Sequence, residues 1–283
     1  MFDGYSCLPC VFSEFVGAVN RNFEEKKDRE RAMRTFFDHM ARADYDQSPP
    51  ELVAESHRVI RSILGIEDPY REIKEAFNDK MLARYGEFKD LVESAEDPFD
   101  MAARLAVAGN IIDYGPGKPF DVDKTLRRVL SEKFAVDEIS NLKTAVAEAE
   151  TILYLGDNAG EIVLDRLFIE TMAHPNLWFA VRGKPVINDA TACDALRVGM
   201  DKAAKVIGNG HDAPGTLLDH TSAEFRELFE KADLIISKGQ GNLESLWGKT
   251  QKPLYFMLMA KCDLVAGHLG VENGDMVVTG HRP

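Results

Sequence analysis

A carboxylate beside a carboxamide, Asp157-Asn158, follows the apolar run Ile152-Leu153-Tyr154-Leu155 and the break at Gly156. Helical periodicity then resumes through Gly160, Glu161, Ile162, Val163 and Leu164. The order reads as a strand, a tight turn and a helix N-terminus. Oxygen ligands of this hard kind suit Mg²⁺ or Mn²⁺. The free N–H groups at the start of a helix favour a phosphate close by. A plain strand-to-helix turn, capped by Asp157 or Asn158, would look the same.

Three later turns carry similar chemistry. Arg182-Gly183-Lys184-Pro185-Val186-Ile187-Asn188-Asp189-Ala190-Thr191 follows a second apolar run. Gly208-Asn209-Gly210-His211-Asp212-Ala213-Pro214-Gly215-Thr216 follows a third, and Lys238-Gly239-Gln240-Gly241-Asn242 a fourth. In a parallel sheet the loops after the strands share one edge, where ligands bind. Loops assigned to the opposite edge, such as His174-Pro175-Asn176 and Gln251-Lys252-Pro253, are plainer. The chemistry that fits is a divalent metal with a phosphate. Asp157, Asn158 and Asp189 would ligate the metal, and Lys238 and Arg182 would neutralise the phosphoryl group. The glycines would let backbone N–H groups approach its oxygens. The metal would polarise the P–O bond and acidify a water that attacks phosphorus. In the plainer alternative, Asp189 and Thr191 cap a helix and Lys238-Gly239 is only a strand end.

The elements that must position these groups are legible as texture. Short apolar runs at 152–155, 177–181, 205–207, 234–237, 254–259 and 276–278 alternate with helical segments near 160–173, 190–199, 222–232, 241–248 and 260–269. Thr221 with Glu224 forms a capping box for the third helix. Alternation of this kind implies a parallel sheet with right-handed crossovers. Residues 1–148 read instead as helical. Val11, Phe12, Phe15, Val16, Val19 and Phe23 recur at helical spacing, and one long helix is expected from Pro69 through Tyr70, Phe77, Met81, Tyr85, Phe88 and Leu91. Asp97-Pro98 opens another helix, near whose end Asn110 and Asp113 share a face. Pattern alone reads that pair as C-terminal capping. The expected fold class is α/β: a Rossmann-like, mostly parallel sheet domain (149–283) preceded by an all-helical region (1–148).

Composition narrows the function classes. Over 283 residues, 45% are hydrophobic and 29% charged, as in soluble globular proteins. The formal net charge of -13 repels nucleic acid and anionic membrane, so neither is an expected partner. No apolar run reaches the ~18 residues of a membrane span, and the N-terminus lacks the pattern of a signal peptide. A cytoplasmic location is the expectation. Of the four cysteines, Cys7 and Cys10 form a C-x-x-C, which reads as half a zinc site, a redox pair or plain reduced thiols. There is no G-x-G-x-x-G, Walker P-loop, G-x-S-x-G or D-x-D after the first strand.

The ordered set of motifs resembles the damage-control phosphatase family, a metal-dependent group formerly known as a domain of unknown function, in its stand-alone archaeal and bacterial branch. The residues that carry the likeness are Cys7-Leu8-Pro9-Cys10, Asp68-Pro69-Tyr70-Arg71 with Lys74, Gly109-Asn110-Ile111-Ile112-Asp113, Gly156-Asp157-Asn158-Ala159-Gly160-Glu161, Val186-Ile187-Asn188-Asp189-Ala190-Thr191, Lys238-Gly239-Gln240-Gly241-Asn242 and Lys261-Cys262. The resemblance implies a divalent ion (Mg, Mn, Co or Ni) held by Asp157, Asn158 and Asp189. It implies that Asn110 and Asp113 face the site, against the capping reading, and that Lys238 binds phosphate. Arg71, Lys74, Glu161 and Arg182 are further carry-overs. The implied activity is hydrolysis of a small phosphorylated metabolite, such as a sugar phosphate or a phosphopantetheine-like compound. The alternatives are an S-adenosylmethionine-dependent carboxyl methyltransferase and a non-catalytic phosphometabolite-binding protein. Cys7, Cys10 and Cys262 are expected near one another, as a thiol cluster or second metal site.

Overall fold

The computed structural model describes residues 2–111 and 122–281. Helices α1 (Leu8–Asn22), α2 (Lys26–Met40) and α3 (Pro49–Leu64) form the first layer. Their apolar stripes meet in a core of their own, where the rings of Phe15 and Phe36 stack at 3.8 Å. Ser48 starts α3, its backbone N–H donating to the Glu51 carboxylate, and the two prolines occupy the first turn, where a missing N–H costs nothing. Gly65, in the left-handed conformation, ends it.

The expected long helix from Pro69 is two helices, α4 (Arg71–Leu82) and α5 (Tyr85–Glu93). Gly86 weakens helix propensity beside the break, and Arg84 turns aside to pair with Glu87 and Asp123. Helices α6 (Pro98–Ile111), α7 (Val122–Ser131) and α8 (Ile139–Glu148) follow. Asp97 caps α6 by accepting from the N–H groups of Phe99 and Asp100.

A two-residue strand, β1 (Val136–Asp137), precedes α8 and was not expected from sequence. Then come β2 (Ile152–Leu155), α9 (Glu161–Met172), β3 (Leu177–Val181), α10 (Ala192–Arg197), β4 (Lys205–Gly208), α11 (Ala223–Lys231), β5 (Leu234–Lys238), α12 (Gln240–Leu246), β6 (Leu254–Met259), α13 (Asp263–Leu269) and β7 (Met276–His281). The seven-stranded sheet has the order β1-β7-β6-β5-β2-β3-β4. All neighbours are parallel except β6 and β7. Ala260 bonds to both Gly274 and Asp275, so β7 starts beside the end of β6 and must run back along it. The expected capping box at Thr221 is replaced by Ser222, whose Oγ accepts from the Phe225 N–H.

Alternation sorts the strand side chains onto two faces. Ile152, Tyr154, Ile236, Met257 and Val278 join a core built with α4, α5, α6, α8 and α9. Leu153, Leu155, Ile235, Phe256 and Leu258 join one built with α11, α12 and α13. The first core thus crosses residue 148, where the sequence texture changes. No described helix is long and apolar enough to cross a membrane.

Candidate active site

β2 has β3 on one side and β5 on the other, so chain order reverses there and a crevice opens beyond the strand ends. Into it run Gly156–Gly160 from β2, the 182–191 loop from β3 and Gly239 from β5. Gly160 has φ 78°, and a Cβ there would run into the Phe77 ring. Its N–H donates to Asn78 Oδ1 at 2.6 Å, which ties the turn to α4. Gly239 has φ 79°, and a Cβ on it would overlap the Asp157 carboxylate. Only glycine lets β5 end so close to that acid.

The acids are tightly bracketed. Asp157 Oδ2 accepts from Asn158 Nδ2 (2.8 Å) and Asn110 Nδ2 (3.1 Å). Arg182 spans both acids, donating from Nη2 to Asp157 Oδ1 (3.2 Å) and from Nε to Asp189 Oδ2 (2.6 Å), while Nη1 reaches Asn242. Asn158 and Asp189 pair as an isolated antiparallel bridge. Ile187 sits beside this bridge at φ 41°, a costly conformation for a β-branched residue of the kind found around functional sites. Burial, then the charges of Asp189 and Glu161, push the Asp157 carboxyl well above the usual range despite Arg182 and Lys261. Burial also raises Asp189, against the pull of Arg182.

A second buried layer supports the first. Lys238 Nζ donates to Glu161 Oε1 (2.6 Å), Asp165 Oδ1 (2.5 Å) and the Ala106 carbonyl (2.8 Å). Burial alone would lower this lysine, but Asp165 and Glu161 hold it above its ordinary value. Asp165 is pushed up to about 7 by burial, with Lys238 opposing. Glu161 in turn accepts from Asn158 Nδ2 (3.1 Å) and from Asn110.

A cavity of about 280 Å³ lies in front of the acids. Asp157, Asn158, Asn188, Asp189 and Lys261 form its sheet-edge wall. Val11 and Phe15 of α1 and Val53, His57 and Ile60 of α3 face them. Asp212, beyond β4, accepts from Arg58 and Arg61 of α3, which fastens the helical wall to the sheet edge.

The structure therefore places Asp157, Asn158 and Asp189 in one cavity wall, with Asn110, Glu161 and Arg182 bonded directly behind. Lys238 does not line the cavity: its ammonium is enclosed beneath Glu161. Arg71 is exposed, pairs with Glu75 and lines a different cavity. Lys74 is buried between Asp68 and Asp194. Thr191 is a helix cap, bonded to the Asp194 carboxylate, whereas Asp189 is not. Asp113 lies outside the described residues. Sequence reasoning missed His57, Asn188 and Lys261 as cavity residues. Lys261 follows β6 at the same sheet edge, and His57 shares a helical face with Val53 and Ile60, so both carried a signal.

Among the described residues no group of three or more His, Cys, Asp or Glu is placed to hold a metal ion. The donor set at the cavity is two carboxylates and a carboxamide. That set fits a hard divalent ion, which is commonly bound by one or two carboxylates with water and phosphate completing its shell. The crowding of Asp157 by Asp189 and Glu161 points the same way, because a cation would relieve it. The four cysteines are free thiols. Burial, followed by the nearby Glu244, Cys10 and Cys262, pushes the Cys7 thiol up to about 12, and Cys10 is raised by burial with Cys262 and Glu244. The C-x-x-C and Cys262 thus lie within electrostatic reach of one another.

Residues 4–277 match the family described as the damage-control phosphatase ARMT1-like domain. The chain is 34% identical over 280 residues to the damage-control phosphatase PH1575 of Pyrococcus horikoshii, covering 96% of each chain. It is 37% identical over 233 residues to a damage-control phosphatase of Archaeoglobus fulgidus, covering 80% of each. An uncharacterized protein of Methanocaldococcus jannaschii, MJ0202, is 34% identical over 288 residues, covering 96% of this chain and 93% of its own. The crystal structure of the P. horikoshii protein, a DUF89 family member, superposes with a TM-score of 0.87 at 31% identity and covers 98% of both chains. With nearly the whole chain matched in sequence and in fold, it belongs to the ARMT1-like damage-control phosphatase family.

Proposed function

We propose that the chain is a divalent-metal-dependent phosphomonoester hydrolase acting on a small phosphorylated metabolite. The observation that carries this reading is the convergence of Asp157, Asn158 and Asp189 on one wall of a small cavity at the switch point of the sheet. These three residues would hold the ion, whether Mg²⁺, Mn²⁺, Co²⁺ or Ni²⁺. Once bound, such an ion polarises a phosphoryl oxygen and acidifies water near it.

The chain's own residues supply the rest. Arg182 bonds both carboxylates and so fixes their separation. Asn110 holds Asp157 and Glu161 in one orientation. Lys261, on the same wall, offers positive charge to an incoming phosphate. The apolar side chains of α1 and α3 on the facing wall make that side of the cavity less polar, which strengthens charge interactions beside it. Lys238 acts in this reading as a positioning residue, balancing the charge of Glu161 beneath the cavity floor, and not as a phosphate ligand. Asp157→Ala should abolish divalent-metal binding by calorimetry and metal-dependent hydrolysis of p-nitrophenyl phosphate. Full metal-dependent activity in that variant would sink the assignment.

A further inference from the structure

Glu244 lines the cavity without serving the cluster around Asp157. It stands on α12, whose N-cap, Gly239, is pressed against the Asp157 carboxylate. Helical side chains lean toward the N-terminus. Gln240 Nε2 donates to Glu244 Oε1 at 3.1 Å, which holds the carboxyl back over the first turn of the helix. Gln240 is itself fixed, its Oε1 accepting from the Lys261 N–H at 3.0 Å. Gly239 and Glu244 are about 7–8 Å apart along the axis, and the backward lean shortens that reach. A phosphoester held at the Asp157 wall spans a gap of this size.

The other acids near the cavity are engaged. Asp157 and Asp189 bond Arg182, Glu14 pairs with Arg21, and Glu51 accepts from Ser48. For Glu244, among the described residues, Gln240 is the one side-chain partner and no cation pairs with it. On the cavity side it faces the thiols of Cys7 and Cys10, with Lys261 and Cys262 beyond β6. On its other side Asp219, His220 and Lys249 line a neighbouring cavity. The carboxyl can therefore take or lose a proton without breaking an ion pair.

We propose that Glu244 is the general acid of the hydrolysis, giving its proton to the ester oxygen as the P–O bond breaks. This rests on the phosphatase reading above and adds a catalytic residue to it. The oxygen of water bonds to phosphorus, and the bond from phosphorus to the ester oxygen breaks. Its electron pair stays on the ester oxygen, which takes the Glu244 proton and departs as a neutral alcohol. One proton of the attacking water restores the Glu244 carboxyl by way of solvent. An acid for this task must hold its proton near the working pH. Burial, against the Gln240 bond, pushes the Glu244 carboxyl up to about 7.

The test is leaving-group dependence, measured with Mn²⁺ on a series of aryl phosphates from p-nitrophenyl to phenyl. p-Nitrophenolate departs readily without a proton, whereas phenolate is a poor leaving group until protonated. In Glu244→Gln, kcat/KM for phenyl phosphate should fall about 100-fold, and for p-nitrophenyl phosphate only a few-fold. With the wild-type protein, kcat for phenyl phosphate should decline as pH rises through about 7, and that limb should vanish in the variant. Glu244→Asp, which keeps an acid on a shorter stem, should recover part of the phenyl phosphate rate. Glu244→Gln retains the oxygen that accepts from Gln240; should it still fail to fold, the same ratio in Glu244→Asp decides. Equal losses on both esters would make Glu244 a structural support and overturn the proposal, as would an undiminished phenyl phosphate rate. If the wild-type protein hydrolyses no ester of the series with any divalent metal, the phosphatase reading itself has failed, and the proposal with it.

Discussion

Lys238 Nζ lies 2.6 Å from Glu161 Oε1, and neither side chain has any exposed surface. Its other contacts, to Asp165 and the Ala106 carbonyl, use the remaining donors of the ammonium. The lysine that sequence places at the sheet edge is therefore an internal counter-ion. Through Glu161 it reaches Asn110 and Asn158, and through them Asp157.

Removing that counter-ion should cost stability before anything else. Lys238→Met leaves Glu161 and Asp165 buried and uncompensated, a loss of ~3–5 kcal/mol. Denaturant unfolding of the variant should show it as a lower midpoint. A variant as stable as wild type, with its defect confined to KM, would return Lys238 to the role of phosphate ligand.

Gly239→Ala tests the approach of β5 to Asp157. The new Cβ would overlap the Asp157 carboxylate, and φ 79° adds strain for any L side chain. Divalent-metal affinity should drop at least about ten-fold, since metal sites tolerate little displacement of a ligand. Gly248 has a similar φ of 68° but open space around it, so Gly248→Ala should leave metal affinity near wild type. Calorimetric titration with Mn²⁺ separates the two variants.

What sequence made legible follows from periodicity. β2 stands out because a fully buried strand is a short unbroken apolar run, and Gly156 ends it sharply. The loops that bear Asp157, Asp189 and Gly239 could be assigned to one edge for the same reason. Strand direction leaves no trace in periodicity, so the antiparallel run of β7 was hidden, and two residues are too few to show β1. The enclosure of Lys238 was in principle readable. Alternation gives it the face of Ile236, which is the side covered by α6 and α9 and not the open edge. The cavity itself arises because α1 and α3 close over the sheet edge through Arg58, Arg61 and Asp212, and no local pattern encodes that meeting.

That fastening should be acid-sensitive. Burial raises the Asp212 carboxyl, but bonds from Arg58 and Arg61 outweigh it and hold it well below its ordinary 3.8. A lowered folded-state value contributes stability that is present above the unfolded value and lost as pH falls through the folded one. Asp212→Asn should lower stability at pH 7 by about 2 kcal/mol. The gap should narrow below about pH 4, where the wild-type protein begins to lose the same contribution. Unfolding midpoints measured from pH 7 to pH 2 would show a constant gap if the pair contributed nothing.

Glu244 should give the opposite slope. It lies on the cavity rim near Cys7, Cys10 and Cys262, with Gln240 Nε2 donating to its Oε1 at 3.1 Å. Burial pushes its carboxyl from 4.5 up to about 7, against the Gln240 bond. Cys7 and Cys10 are raised as well, so those thiols are neutral through this range and do not mask the effect. Between the unfolded and folded values the folded protein binds the extra proton. Stability from this group is therefore full below about pH 4.5, declines as pH rises toward 7 and stays lost above it. Glu244→Gln keeps the oxygen that accepts from Gln240 and removes the titration. Its advantage over wild type should be small at pH 4.5 and grow to about 2 kcal/mol at pH 8. Parallel stability-versus-pH curves for the two proteins would show that this carboxyl titrates as it does in the unfolded chain.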